Sequence, residues 1–109
     1  MVEYSLQLDS VFGSLADPTR RDILRRVARS ELTVSEISMP YDMSLAAVSK
    51  HLKILEKARL VIKRRKGKQQ LVRAAPGALH DAEEFIERYR QLWEDRFDAL
   101  DNYLKEGRE

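Results

Sequence analysis

A mainly α-helical fold carrying one small β-hairpin is what three features of this 109-residue sequence predict. Apolar residues recur at three- and four-residue spacing along most of the chain. Helix-starting residues, Asp17-Pro18, Thr33 and Ser44, stand at the heads of successive periodic segments. One basic run, RRKGKQQ at 64–70, breaks the helical period around a glycine, as a hairpin turn does.

Leu8, Val11, Phe12 and Leu15 predict a first amphipathic helix that stops near Gly13 to Ala16. Asp17 as N-cap and Pro18 at the first helical position open a second helix over 18–29. Its apolar face is Ile23, Leu24, Val27 and Ala28, and its outer face carries Arg20, Arg21, Arg25, Arg26 and Arg29. Thr33 opens a third helix, because its hydroxyl can accept from the Glu36 amide while Glu36 reaches back, a reciprocal capping box. Pro40 ends that helix early, and the four residues Pro40 to Met43 separate it from Ser44, the cap of a fourth. A short helix, a tight turn and a second helix form the helix-turn-helix outline.

On the fourth helix Leu45, Val48, Leu52 and Leu55 share one stripe and are expected to face the core. Ala46, Ser49, Lys50 and Lys53 share another, a small and basic face suited to close approach into a DNA major groove. Leu60 to Ile62 and Leu71 to Val72 read as short strands, with Gly67 supplying the turn. A cationic hairpin directly after such a helix is a wing, so the fold class is a winged helix-turn-helix: a three-helix core with a β-hairpin wing, plus N- and C-terminal helices.

From Ala78 to Lys105, within a terminal helical segment at 76–106, neither Pro nor Gly interrupts the pattern. Phe85, Ile86, Tyr89, Trp93, Phe97, Leu100 and Leu104 make an apolar stripe too long for one small domain to cover. A second copy of the chain is its expected cover. The dimerisation residues are then Leu8, Phe12, Phe85, Tyr89, Trp93, Phe97 and Leu100, within a single domain spanning 1–109.

The net charge of +2 hides a polarity: residues 50–73 hold ten Lys/Arg against one acid, Glu56, and are locally +9, while the rest of the chain is −7. A polyanion is the natural partner of the basic side. No apolar run is long enough to span a membrane, and the opening MVEYSLQLDS is no signal peptide, so a cytoplasmic protein without membrane contact is expected. The absence of cysteine removes disulfides and thiolate ligands. Four scattered glycines form no phosphate loop and two histidines in separate helices form no catalytic set, so neither an enzyme nor a cofactor is expected.

The order of elements resembles the arsenic-repressor (ArsR) family of bacterial and archaeal regulators. LADPTRRDIL at 15–24 looks like that family's opening signature, SLAAVSKHLKILEKARLV at 44–61 like its recognition helix, and the terminal helix like its dimerisation helix. Two departures stand out. Arg59 replaces the family's usual glycine before Leu-Val, and ELTVSEI at 31–37 carries Thr33 and Ser35 where metal-sensing members carry two cysteines. Thiophilic ions therefore lose their ligands, and His80, Asp81 and Glu84 only approach the family's other metal site.

The resemblance implies a homodimeric repressor of double-stranded DNA that binds an inverted-repeat operator without metal. The DNA-contacting residues are expected to be Ser44, Ala46, Ala47, Ser49, Lys50, His51, Lys53, Arg64, Arg65, Lys66 and Lys68. Of these, Ala46, Ser49 and Lys50 are expected at bases or the groove floor. Lys53, Arg64, Arg65, Lys66 and Lys68 are expected on phosphates. A winged-helix module that binds a protein or RNA is the alternative, since this fold serves both. The sequence names no small-molecule effector.

Overall fold

The computed structural model describes residues 2–107, with side chains described from residue 7 onward; the outermost residues of the expected 1–109 domain, Met1, Arg108 and Glu109, lie outside that range. The elements run α1 (Val2–Leu15), α2 (Pro18–Arg29), β1 (Leu32–Thr33), α3 (Val34–Ser38), α4 (Leu45–Lys57), β2 (Val61–Lys66), β3 (Gln69–Ala74) and α5 (Pro76–Glu106).

The local chemistry explains the boundaries. The Asp17 carboxylate accepts from the Arg20 amide at 3.0 Å with Pro18 following it, so α2 begins where its first free N–H groups find a partner. The Thr33 hydroxyl accepts from the Glu36 N–H at 3.1 Å, and Glu36 Oε1 accepts from the Thr33 N–H at 2.9 Å, closing the capping box of α3. Leu15 is the last residue of α1, inside the expected stop.

The hairpin is longer than its apolar residues indicated. β2 and β3 pair antiparallel from Val61↔Ala74 to Lys66↔Gln69 around Gly67, whose φ of 63° suits the turn. Their polar outer halves carry no alternation that sequence reading can use, and the backbone ladder alone extends them. β1 adds a third strand, giving the order β1-β3-β2 with Leu32 opposite Val72. Two residues are too few to show a period of two, so the sequence carried no sign of it.

The core lies between α1, α2, α4 and the sheet. Ile23, Ile37, Leu52, Leu55, Leu60, Val11, Val48 and Val72 are fully buried. Each such aliphatic side chain contributes about 1.5–3 kcal/mol by leaving water. Two expectations are corrected here. Leu8 is buried in this core, so it has little surface to offer a partner subunit. Leu45, expected in the core, is 57% exposed, because it begins α4 and borders an open hollow rather than the packed core.

The arginines of α2 are also more engaged than an outer face implies. Arg20 donates to Ser14 O at 2.8 Å and Gly13 O at 3.2 Å, and Arg21 donates to Leu15 O at 2.8 Å, all at the end of α1. Arg26 donates to Ile37 O at 2.8 Å and Glu36 O at 2.9 Å on α3, with its guanidinium 5.3 Å from the centroid of the Tyr41 ring. Cations at carbonyl-rich helix ends satisfy groups the helix leaves unpaired and complement its dipole. α2 thereby clamps α1 and α3.

Only the first turns of α5 pack on this body: Ala78 and Ala82 are buried and Phe85 is half-buried. A 31-residue helix is about 46 Å long, and its free length stretches the molecule to 71 Å against 33 and 21 Å in the other directions.

Candidate nucleic-acid interface

α4 is fixed at both ends. The Ser44 hydroxyl accepts from the Ala47 N–H at 3.1 Å, so that residue's side chain starts the helix. At the other end the Leu60 N–H reaches Leu55 O at 3.0 Å and the Arg59 N–H reaches Glu56 O at 2.9 Å, the paired bonds of a Schellman turn. Arg59 takes the left-handed position this turn requires, with φ 62°, where glycine would fit without strain. Leu55 and Leu60 bury the apolar contact that accompanies the turn.

At about 100° per residue, Ala46, Ser49, Lys50 and Lys53 fall on one side of α4, opposite the buried Val48, Leu52 and Leu55. All four are exposed. Ala47 and His51 do not join them: both are half-buried on the flank of the helix. His51 Nδ1 lies 3.2 Å from Arg20 Nη1 and 3.9 Å from Asp17 Oδ2, so the ring is held against α2. Both stand among the residues expected to touch DNA, and they border the outward face: around the helix Ala47 lies about 60° and His51 about 100° from Lys50. The Arg20 amide, with a smaller contribution from the charges of Arg20 and His51, holds the Asp17 carboxyl below the usual carboxylate range.

The wing is divided by its own ion pairs. Lys63 at its base lies 3.5 Å from the Glu56 carboxylate of α4. Arg64 forks onto Glu31, and the hydrogen bonds from its guanidinium lower the Glu31 carboxyl and raise Arg64 itself. Both cations are thus partly neutralised at home. Arg65, Lys66 and Lys68, at and next to the turn, are exposed and make no ion pair among the described residues. In the strand alternation Arg65 shares the face of Val61 and Lys63, the side that meets α4, whereas Arg64 and Lys66 share the opposite one. Neither Glu31 nor Glu56 stood out in the sequence as a partner for the wing; a lone acid beside so basic a stretch was the available signal.

On α5 the exposed apolar side chains include Ile86, Tyr89, Trp93, Phe97 and Leu100. Phe12 is 37% exposed and its ring centroid lies 6.0 Å from that of Phe85, which lies 4.8 Å from Tyr89, so α1 and α5 build one aromatic cluster. Trp93 and Phe97 form a second pair at 6.1 Å. His80 Nε2 and Glu84 Oε1 are 3.3 Å apart on the surface of the same helix. Among the described residues no three His, Asp or Glu side chains gather as a metal site would need.

Comparison with known proteins follows the same outline. The profile of the family described as bacterial regulatory protein, arsR family, matches residues 17–63, from the α2 cap into the wing. The helix-turn-helix-type transcriptional regulator Rv2034 of Mycobacterium tuberculosis is 41% identical over 71 residues, which are 65% of this chain and 66% of that protein. A crystallised ArsR family transcriptional regulator superposes with a TM-score of 0.78 at 33% identity, covering 83% of this chain and 93% of its own. A Mycobacterium bovis fragment, described as a homodimeric winged helix-turn-helix DNA-binding domain, superposes with a TM-score of 0.62 at 31% identity, covering 79% of this chain and 82% of its own.

Proposed function

The chain belongs to the arsR family of bacterial regulatory proteins, and on that premise we propose that it is a homodimeric, sequence-specific repressor that binds inverted-repeat operators in double-stranded DNA. The observation that carries this reading is the small, basic outer face of α4 standing beside a wing whose tip cations are unpaired among the described residues. Lys50, Ser49 and Ala46 meet base edges, while Lys53, Arg65, Lys66 and Lys68 meet phosphates. Arg64, engaged by Glu31, is a lesser contact. The terminal helices of two copies cover each other's apolar stripes and set two α4 helices one DNA turn apart. The homodimeric description of the Mycobacterium bovis neighbour supports that pairing. Bound across a promoter, such a dimer blocks transcription by occupancy; it acts in the cytoplasm, needs no cofactor and performs no catalysis. Thr33 and Ser35 offer no thiolate, so its release does not run through thiophilic metals.

The test is an electrophoretic shift with sheared genomic DNA and, in parallel, with total cellular RNA, followed by sequencing of the retained fragments. A shared inverted repeat is expected, and Lys50→Ala should lower the preference for it over random DNA. Retention of RNA with no retention of DNA, or of neither, overturns the reading, and neither would favour a protein partner.

A further inference from the structure

Leu45 is a large aliphatic side chain in a place that packing does not explain. Helical periodicity groups it with Val48 and Leu52, yet it is 57% exposed while both of those are fully buried. It is the first residue of α4, the end of a recognition helix that comes nearest to base edges in a major groove. Its neighbours on the outward side, Ala46 and Ser49, are small and let another surface approach closely. The hollow of about 260 Å³ beside it is lined mostly by polar and cationic groups, among them Thr33, Ser35, Lys63, Lys68 and Gln70. Leu45 is the exposed apolar side chain at this polar and cationic rim, beside the half-buried Val34 and the buried Leu52. Such a contact suits an anionic polymer that presents an isolated apolar group. In the major groove that group is the C5 methyl of thymine.

Resting on the DNA-binding reading above, we propose that Leu45 is a specificity-determining residue that packs against a thymine methyl in each operator half-site. A leucine there makes no hydrogen bond, so it selects through the methyl alone. A methyl group buried on binding corresponds to about a fourfold change in affinity.

The experiment takes an operator recovered from genomic DNA and replaces its thymines one position at a time by deoxyuridine, which removes the methyl and keeps the base pair. With the wild-type chain, one position per half-site should weaken binding about fourfold. Leu45→Ala should bind the thymine operator correspondingly less well and no longer distinguish thymine from deoxyuridine at that position. Leu45→Met, which keeps an apolar tip, should retain the discrimination. Circular dichroism should show all three proteins equally folded, since Leu45 contributes little to the core. If every deoxyuridine operator binds the wild type within twofold, or if Leu45→Ala still discriminates, the assignment is overturned and the DNA-binding reading stands. If the wild type retains no DNA at all, both fall.

Discussion

Arg64 grips the carboxylate of Glu31 through two parallel hydrogen bonds, Nε to Oε2 at 2.7 Å and Nη2 to Oε1 at 2.6 Å. Such a fork occupies much of a guanidinium's donor set. Arg65, its neighbour in the strand, is expected to do more on DNA. Arg65→Ala should therefore reduce the slope of log affinity against log salt by about one per lost contact. Arg64→Ala should change it less, and Glu31→Ala, which frees Arg64, should steepen it. Equal flattening by the two arginine variants would show that the pair opens on DNA.

The exposed stripe on α5 predicts where dimer stability concentrates. Trp93 lies mid-helix, 58% exposed, with its ring tilted against that of Phe97. Buried between subunits, it would be a hot spot worth at least about 2 kcal/mol. Trp93→Ala should sediment as a monomer at micromolar concentration and lose most of its operator affinity without touching DNA. A wild-type monomer that still binds its operator tightly would sink the dimeric mechanism.

Replacing Arg59 by glycine should stabilise the protein. A non-glycine residue in the left-handed region costs about 1 kcal/mol, part of which glycine's greater freedom in the unfolded chain takes back. Arg59→Gly should raise the thermal midpoint by a few degrees. A fall would mean that the Arg59 side chain holds the turn in a way its backbone does not reveal.

Stability should decline on the acid side. The carboxyls of Asp17, Asp22, Glu31 and Glu36 are all held below their ordinary range, chiefly by the Arg20 amide, the Tyr41 hydroxyl, the Arg64 guanidinium and the Thr33 amide respectively. A carboxyl lowered in the folded state stabilises above its unfolded value, about 4, and loses that contribution as pH falls through the folded one. Thermal midpoints should thus drop as pH falls from about 5 to 3, and Glu31→Gln should shallow the drop. An unchanged acid limb in that variant would remove Glu31 from the account.

Zinc, cadmium and arsenite should leave the protein–DNA complex intact. The check is a shift assay at micromolar ion. Release that disappears in His80→Ala would overturn the expectation and identify the His80–Glu84 pair as part of a metal site.

Elements whose ends are set by side-chain chemistry were legible before the structure. Asp17-Pro18, the Thr33/Glu36 box and Gly67 act within a few residues of themselves, so α2, α3 and the hairpin turn lie where the sequence puts them. The terminal helix was legible because nothing from Ala78 to Lys105 breaks a helix. What depended on distant neighbours was not. Leu8 and Leu45 carry the same apolar label, but only the surrounding elements decide that one is buried and the other exposed. The roles of Arg20, Arg26 and Arg64 depend on carbonyls and a carboxylate that lie 6 to 33 residues away. Periodicity, which sees one helix face at a time, reads Arg20 and Arg26 as an outer face, and local charge reads Arg64 as a phosphate contact.

Arg20 bonds the end of α1 and meets His51 on α4, and α1 in turn carries Phe12 into the aromatic cluster with α5. One side chain thus spans the distance from the helices proposed to pair subunits to the helix proposed to read DNA. The genetic map of this protein should accordingly be wider than its footprint on the operator. A screen for loss of regulation would recover substitutions at position 20 as readily as in α4, and pseudo-revertants of a weakened α4 would arise in α1 and α2, where no nucleotide is touched.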